Sequence, residues 1–350
     1  MKRRTSIVDI AEKAGVSPAS VSRVLNKKKT SMHISDATSQ RVLKAARELD
    51  YTPNILARNF QSQKSNTVAL LVTDTIDLCI SSLISAAEKV LQDSGYTCLI
   101  SNIIDCNKQK DFCVAAFKEN RIDGVIITSF KIPLEESLFN DLAKNNVPFV
   151  LVGGSWPDKK ITFINADNIF GGKAITEHLL QLGHQRILYI DCGYPDSTLR
   201  MEGYHQALAD AGITPDASLV IQSDLGVLGG YKAINHYLKK ATLPTAIFCC
   251  DDKVAFGVLR ALNEAGISVP SECSIAGFDD IEFSQYSSPS LTTIAQPSAG
   301  MGKKGAMLII SKLKNVNQRP QHITLPTTLV IRESTCSVHV KKKFNVNKAV

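Results

Sequence analysis

The sequence lacks any apolar run long enough to cross a membrane. Its basic N-terminus is not followed by the apolar segment of a secretory signal, and no stretch approaches the ~20 consecutive apolar residues of a membrane-spanning helix. We therefore expect a soluble, cytoplasmic protein. With 350 residues, the chain exceeds one typical domain and is long enough to bury a full hydrophobic core.

The sequence also lacks the residue patterns of a metal, cofactor or common enzyme site. The nine cysteines form no CxxC pair and no cluster with histidine. Most of them lie in apolar runs, so we expect buried free thiols in a reducing compartment. There is no Walker loop, GxGxxG, HExxH or nucleophile elbow. The sequence therefore predicts no metal and no cofactor.

Positive charge is concentrated at one end of the chain. Residues 1–67 contain thirteen Lys and Arg against five Asp and Glu, whereas the remaining 283 residues contain 27 against 28. A basic head on a neutral body is typical of nucleic-acid-binding proteins, because neutralisation of phosphates drives association. A solubilising arm is a weaker interpretation, since these charges are interleaved with a patterned apolar core.

The stretch Ser6–Asn26 carries two short helix patterns joined by a tight turn. Ser6 can cap the first helix, with Asp9 as the returning acid of a capping box. Gly15 suits the turn, because glycine tolerates positive φ. The two patterns share one apolar face, which consists of Ile7, Ile10, Ala11, Ala14, Val21, Val24 and Leu25.

The second helix pattern begins with Ser17 as its cap and Pro18 at the first helical position. Pro18, Ala19, Ser22 and Arg23 then face outward. This arrangement is typical of a helix-turn-helix, whose second helix enters the DNA major groove. An ordinary αα-hairpin with a solvated face is the alternative, and the periodicity alone leaves both open.

A third helix and a shorter helical pattern follow. Ser35 can cap a helix over Asp36–Leu49, after a polar, basic loop that could lie along a phosphate backbone. The pattern Asn54–Gln61 is too short to be stable alone, so we expect it to order on DNA or against a second copy of itself.

From Val68 onward, short apolar runs alternate with amphipathic helical patterns. Such β-α units indicate parallel sheets covered on both faces, and their number favours two lobes with a ligand cleft between them. The predicted strands are Val68–Val72, Tyr96–Ile100, Gly124–Ile127, Phe149–Val152, Phe163–Ala166, Ile187–Ile190, Ser218–Ile221, Ala246–Cys249 and Ser274–Ala276.

These patterns predict a multidomain protein with an all-α helix-turn-helix head and an α/β core of two doubly wound lobes. We place the head at residues 1–51, a short helical pattern and linker at 52–66, and the two-lobed core at 67–335. Residues 336–350 contain few apolar side chains, so we expect a disordered basic tail.

Charged residues directly follow several predicted strands. Asp74 follows the first strand, Asp251–Asp252 and Asp279–Asp280 follow two later strands, and Arg200 lies beyond the loop after another. In open α/β sheets, ligands bind beyond the carboxyl ends of the strands. Carboxylates with one guanidinium suit a polyhydroxylated ligand, because carboxylates accept from hydroxyls while arginine donates.

Two other interpretations of these carboxylates remain open. Some could be helix N-caps, and Asp252 and Asp280 are placed for that role. Paired carboxylates could also act as the acid and base of an enzyme. The basic head and the absence of metal-spaced histidines weigh against the enzyme, so we interpret the chain as non-enzymatic.

The chain resembles the lactose-repressor/galactose-repressor (LacI/GalR) family of bacterial transcription regulators over about residues 5–335. The head carries VDIAEKAGVS, SVSRVLN and ISDATSQRVLKAARELDYTPN. The body carries, in the family's order, TEHLLQLGH, RMEGYHQAL, PTAIFCCDDKVAFGVLRAL, VPSECSIAGFDDIEFSQYSSPSLTTIAQP and RESTC. The resemblance implies a periplasmic-binding-protein-like core that closes on a small effector. It also implies a homodimer, or a tetramer, on a palindromic operator.

The resemblance also assigns DNA contacts. Pro18 and Ala19 match the main specificity positions, where readout would be apolar, and Arg23 is the candidate for a guanine contact. Pro53–Gln61 resembles the hinge helix, with Phe60 where a leucine wedge is usual. The full predicted set is Ser6, Ser17, Pro18, Ala19, Ser20, Ser22, Arg23, Asn26, Asn54, Ala57, Arg58 and Phe60.

For the effector, the resemblance implies contacts from Asp74, Arg200, Leu225, Asp251 and Asp279. Leu225 stands where purine-binding members and some sugar-binding members place an aromatic ring, and Asp77–Ile80 replaces a common Asn-Pro-Phe-Phe. An effector pocket with fewer aromatic rings favours a sugar or sugar acid over a planar purine as the ligand. We therefore interpret the chain as a repressor of carbohydrate-utilisation genes. The alternatives are a regulator with a purine or nucleoside effector, a carbohydrate-binding protein and a carbohydrate-active enzyme.

Overall fold

The computed structural model describes residues 5–25, 34–51, 64–72, 77–102, 106–128, 135–154, 160–315 and 318–338. The chain divides into two compact units, Met1–Gln63 and Lys64–Val350. Across the described ranges, no helix is both long and apolar enough to span a membrane.

The described residues of the N-terminal unit form three helices, α1 (Ile7–Ala14), α2 (Pro18–Leu25) and α3 (Asp36–Glu48). The predicted capping box is present at the start of α1. The Ser6 hydroxyl accepts from the Asp9 amide at 3.3 Å, and the Asp9 carboxylate accepts from the Ser6 amide at 2.7 Å. Two of the four amides that a helix N-terminus leaves unbonded are commonly satisfied in this way.

A small apolar core joins the three helices. Gly15 ends α1 with φ of 64°, a left-handed conformation that costs glycine little. The turn places α2 across α1, and Ile10, Val21 and Val42, one from each helix, are completely buried together. The predicted helix-turn-helix is confirmed, because the apolar face read from the sequence is the one that forms this core.

The second unit consists of alternating strands and helices. In chain order these are β1 (Thr67–Val72), α4 (Leu78–Asp93), β2 (Thr97–Asn102), α5 (Cys106–Lys118), β3 (Gly124–Thr128), α6 (Glu136–Lys144), β4 (Phe149–Val152), β5 (Phe163–Ala166), α7 (Asn168–Gln181), β6 (Ile187–Asp191), α8 (Pro195–Asp210), β7 (Val220–Gln222), α9 (Gly226–Leu238), β8 (Ala246–Cys249), α10 (Asp252–Glu264), β9 (Ser274–Ala276), β10 (Thr293–Ala295), α11 (Ser298–Lys314), β11 (His322–Leu325) and β12 (Thr328–Val330).

The first lobe is built on a six-stranded parallel sheet in the order β11-β5-β4-β3-β1-β2. Side chains of β1 alternate between the two faces, as in any strand. Val68 and Leu70 pack in a cluster with α4 and α11, whereas Ala69 and Leu71 pack in a second cluster with α5 and α6. Both faces are therefore covered by helices, as the apolar runs predicted.

The second lobe is built on a four-stranded parallel sheet in the order β7-β6-β8-β9, with β10 and β12 paired antiparallel beside it. Helices α7 to α10 contribute to its apolar core, and the rings of Tyr189 and Phe248 meet there edge to face at 5.0 Å. The predicted core of two doubly wound lobes is confirmed. Within the described ranges, the chain passes between the lobes before α7, before α11 and before β12.

Several element boundaries differ by one or two residues from the sequence prediction, and the clearest differences are at β7 and in the C-terminal segment. The start of the predicted strand Ser218–Ile221 is a 3-10 turn, Ala217–Leu219, so β7 begins only at Val220. Cys336 and Val338 were placed in the disordered tail, but the Cys336 carbonyl accepts from Ser274 Oγ at 3.3 Å and the Val338 amide donates to the Leu182 carbonyl at 2.9 Å. These hydrogen bonds connect the first residues of the predicted tail to the second lobe, although this segment has no apolar pattern.

Candidate functional site

Arg200 lies at the centre of a buried polar cluster in the second lobe. It projects from α8 and has the largest side chain among the completely buried residues that the structure describes. Its Nε donates to Asn168 Oδ1 at 2.9 Å, and its Nη1 donates to the Cys250 carbonyl and to the Tyr194 hydroxyl. Phe278 lies against the guanidinium, with its ring centroid 3.7 Å from the arginine Cζ.

Two further groups complete the surroundings of the guanidinium. Nη2 of Arg200 donates to Gln296 Oε1 at 3.0 Å and forms an ion pair with Asp279 Oδ1 at 3.1 Å. Asp279 has φ of 110° and Asp280 has φ of 52°, conformations that non-glycine residues seldom adopt. Such strain concentrates at functional sites, and here it occurs in the loop that presents the carboxylate to Arg200.

This cluster faces the first lobe across a closed cleft. Residues of both lobes line a cavity of about 10 Å³ there, namely Asp77, Cys79, Ile80, Tyr194, Arg200, Asp279 and Gln296. A cavity of this size holds no more than about one water molecule. A ligand of sugar size therefore enters only if the two lobes separate.

An ion pair between Asp77 and Lys253 connects the two lobes across the cleft. Asp77 caps α4, because its Oδ1 accepts from the amides of Cys79 and Ile80. Its other oxygen accepts from Lys253 Nζ, on α10 of the second lobe, at 3.0 Å. The Asp77 side chain is 3% exposed and the Lys253 side chain 28%, so this pair is better shielded than a surface ion pair.

Replacing Lys253 with methionine should make the cleft open more readily. Loss of the Asp77–Lys253 pair is expected to weaken closure by about 1 kcal/mol, or roughly fivefold in the opening equilibrium. Hydrogen exchange of the amides at the start of α4 should accelerate by that factor. Lys232→Met, an exposed lysine on α9, is the matched control. Equal exchange rates in the two variants would contradict a closing role for Lys253.

In the aspartate pair after β8, the cap of α10 is not the residue that was expected. Asp251 is the cap, because its Oδ1 accepts from the Val254 amide at 2.8 Å, and its contact with an effector stays a prediction. Asp252 was the expected cap. Instead its carboxylate accepts from Ile281 N, Ser284 Oγ and Thr293 Oγ1, and burial raises its pKa to about 8.

The other three residues that the sequence analysis singled out are Asp280, Leu225 and Asp74. Asp280 forms no cap but an ion pair with Arg332 at 2.7 Å, so its expected role as a cap is wrong. Leu225 directly precedes α9 as its N-cap residue, is 48% exposed and does not line the cleft cavity. Asp74 lies outside the described residues.

The cleft also contains residues that the sequence analysis did not select. Asn168, Tyr194 and Gln296 each contact Arg200, and Asp77 lies opposite it. Tyr194 and Asp77 follow the carboxyl ends of β6 and β1, so the strand-end rule could have found them. Asn168 follows β5 within two residues, so the same rule applies to it, whereas Gln296 follows β10, a strand that the sequence analysis did not predict.

The candidate DNA-contacting residues cluster at the start of α2. Ser17, Pro18 and Ala19 are exposed, while Ser20, Ser22 and Arg23 are half-buried, as is Ser6 before α1. The Ser17 hydroxyl accepts from the Ser20 amide at 3.2 Å and so caps α2. The remaining predicted contacts, which are Asn26, Asn54, Ala57, Arg58 and Phe60, lie outside the described residues.

Comparison with known proteins agrees with both units. Residues 6–54 match the family described as bacterial regulatory proteins, lacI family, and residues 176–335 match the periplasmic binding protein-like domain. The chain is 32% identical over 335 residues to the HTH-type transcriptional repressor PurR of Photobacterium profundum, covering 94% of this chain and 98% of that protein. The chain belongs to the LacI family.

Other relatives of this LacI-family chain agree with its architecture. The ribose operon repressor of Haemophilus influenzae is 31% identical over 341 residues, covering 94% of this chain and 98% of the repressor. The Lac repressor dimer bound to operator and the anti-inducer ONPF has a TM-score of 0.84 at 27% identity, covering 96% and 100% of the two chains. The transcriptional regulator CelR–cellobiose complex has a TM-score of 0.72 at 27% identity, covering 95% and 100%.

These matches extend over nearly the whole chain, so they apply to the head and the core together. This LacI-family protein is a DNA-binding transcriptional repressor with an effector-binding core. The predicted family and regulator class are confirmed.

Proposed function

We propose that this repressor controls carbohydrate-utilisation genes and responds to a small sugar or sugar acid bound between its lobes. The observation that carries the proposal is the buried Arg200–Asp279 pair at the interlobe cleft. A carboxylate, an amide and a phenol beside one guanidinium offer both acceptors and donors to a polyhydroxylated ligand. The cellobiose complex of CelR supports this ligand class, because that protein has the same fold along its whole length.

The cleft offers polar groups from both lobes to such a ligand. Sugar hydroxyls can replace Gln296 and Asp279 as partners of Arg200, while Asp77 can accept from hydroxyls on the opposite side. A ligand that binds one lobe arrangement more tightly shifts the population toward it. A difference of ~1–3 kcal/mol changes occupancy of the coupled DNA site roughly 5–150-fold.

A thermal-shift screen tests the effector class. Sugars, sugar acids, sugar phosphates, purine bases and nucleosides are added separately to the full-length protein. A ligand at a concentration of about 100 times its Kd raises the free energy of unfolding by about 2.7 kcal/mol. This gives an easily measured increase in the melting temperature. We expect the hits among the sugars or sugar acids. A purine base or nucleoside as the sole hit would replace the sugar with the alternative effector class.

We further propose that two chains form a dimer on a palindromic operator, each placing one α2 in the major groove. Exposed Pro18 and Ala19 at the start of α2 support apolar base contacts. Leu99 and Ile100 on the edge strand β2 are 39% and 42% exposed, and apolar side chains on a sheet edge suit burial against a second copy. Salt-dependent binding of two chains to one palindromic duplex, selected from a random library, tests this arrangement.

In the proposed hinge, Phe60→Ala should weaken operator binding tenfold or more. An aromatic wedge that partly unstacks a base step gains contacts in the bent DNA, and alanine cannot make them. Electrophoretic mobility shift on the selected duplex measures the loss, and thermal stabilisation by the sugar hit should remain unchanged. Phe170→Ala, which removes a 54% exposed phenylalanine from α7, is the control. Equal operator affinity in both variants would refute the wedge.

A further inference from the structure

Two cysteine thiols lie in contact at the ends of neighbouring strands in the second lobe. Cys192 follows β6 and Cys250 follows β8, two parallel strands in which Ile190 is the register partner of Cys249. The Cys250 thiol donates to Cys192 Sγ at an Sγ–Sγ distance of 3.1 Å. A disulfide requires ~2.05 Å, so the two sulfur atoms need to approach by only about 1 Å to become bonded.

The two thiols have different environments. Cys250 is completely buried, whereas Cys192 is partly exposed and donates to the Asp224 carbonyl at 3.6 Å. Burial raises the pKa of Cys250 well above its usual range. Because Cys192 is the partly exposed member of the pair, it is the thiol that a dissolved oxidant reaches first.

We propose that Cys192 and Cys250 form a redox modification site, in which hydrogen peroxide converts the two thiols to an intramolecular disulfide. The Cys192 sulfur attacks one peroxide oxygen, the O–O bond breaks, and sulfenic acid and one water are formed. The Cys250 sulfur then attacks the Cys192 sulfur, and the S–O bond breaks. The departing hydroxyl takes the Cys250 proton and leaves as a second water. The two thiols together lose two electrons, which reduce the peroxide.

The position of Cys250 connects this pair to the cleft. Its carbonyl accepts from Arg200 Nη1 and, at 3.5 Å, from the Tyr194 hydroxyl. Formation of the disulfide draws residue 250 toward β6, and the carbonyl that holds the guanidinium moves with it. The redox state of the pair therefore acts on Arg200 whichever ligand the cleft binds, so the inference does not depend on the sugar assignment.

Peptide mapping of the full-length protein tests the pair. The protein is treated with hydrogen peroxide, its remaining thiols are alkylated, and peptides are analysed by mass spectrometry without reduction. We expect the Cys192–Cys250 cross-link in at least tenfold excess over any other cysteine pair, and its loss on treatment with dithiothreitol. The same treatment in concentrated urea should abolish the excess, because only the fold brings these residues together.

Matched variants separate this pair from general oxidation. Cys192→Ser should abolish the cross-link, whereas Cys98→Ser, which removes another partly exposed thiol, should leave its yield unchanged. Circular dichroism verifies that both variants fold, and Cys192→Ala replaces the serine variant if it does not. Recovery of wild-type Cys192 as sulfinic acid without the Cys250 cross-link, or equal yields for several pairs, would overturn the proposal.

Discussion

Arg200→Ala is expected to lower the free energy of unfolding by about 3–5 kcal/mol and to abolish stabilisation by the effector. Removing one partner of a buried ion pair leaves the other charge uncompensated, and this range is typical of that loss. Here Asp279 would lose its cation, while Asn168, Gln296 and the Cys250 carbonyl would lose a donor. Urea unfolding measures the stability, and the sugar hit from the thermal-shift screen measures the response.

A control and a double variant separate charge from packing at this position. Arg186→Ala removes a half-buried arginine that donates to Tyr237 and to the carbonyls of Thr242 and Leu243, and it should lose only about 1 kcal/mol. Arg200→Met with Asp279→Asn removes both charges and should recover part of the stability, though none of the effector response. A single Arg200→Ala variant as stable as the Arg186 control would contradict the account of the cluster.

Gly172→Ala is expected to destabilise the second lobe by about 3 kcal/mol. A Cβ at this position of α7 would lie 2.1 Å from the Arg200 carbonyl oxygen on α8. A matching contact runs from α8 to α7, since a Cβ at Gly203 of α8 would lie 2.1 Å from the Ile169 carbonyl oxygen of α7. Backbone atoms cannot rotate away as side chains can, so the two helices must separate.

The Gly172 prediction has a matched control within another helix. Gly300 lies in α11, where an added Cβ would meet nothing closer than 3.6 Å. Gly300→Ala should therefore be neutral or stabilise by up to about 1 kcal/mol, because alanine favours a helix more than glycine does. Urea unfolding of both variants gives the comparison. A loss of less than about 1 kcal/mol for Gly172→Ala would show that the two helices adjust easily.

Arg200→Ala and Gly172→Ala both test the position of Arg200 on α8. The carbonyl group that packs against Gly172 belongs to Arg200. The close crossing of α7 and α8 therefore also determines the position of the Arg200 backbone, from which the side chain reaches its partners. We expect Gly172→Ala to weaken the effector response as well, since a shift of α8 carries Arg200 away from Asp279 and Gln296.

The sequence predicted some residues of the site, but it could not predict which partners each of them contacts. Arg200 and Asp279 were selected from the sequence, and they meet in the structure at 3.1 Å. Asp251 and Asp252 both follow β8, and the sequence could not tell which one caps α10, because the two differ only by one residue of register. The hydrogen bonds of Asp252 come from residues 281, 284 and 293, which are far from it in the chain.

The sequence by itself determined the features that depend on near neighbours. The Ser6–Asp9 capping box, the Gly15 turn and the alternating faces of β1 are formed within a few residues, so propensity and periodicity suffice to predict them. Its charge distribution and ordered motifs also identified the regulator class.

Only the tertiary structure decided which polar groups surround Arg200. Strand order places Cys250 and Asp279 beside it, and the connections between the lobes bring in Asn168 and Gln296. Closure of the lobes then brings Asp77 to the other side of the cleft. Gln296, which contacts Arg200, is 96 positions away from it in the chain, and Asp77 across the cleft is further still. No local pattern encodes contacts between residues so far apart in the sequence.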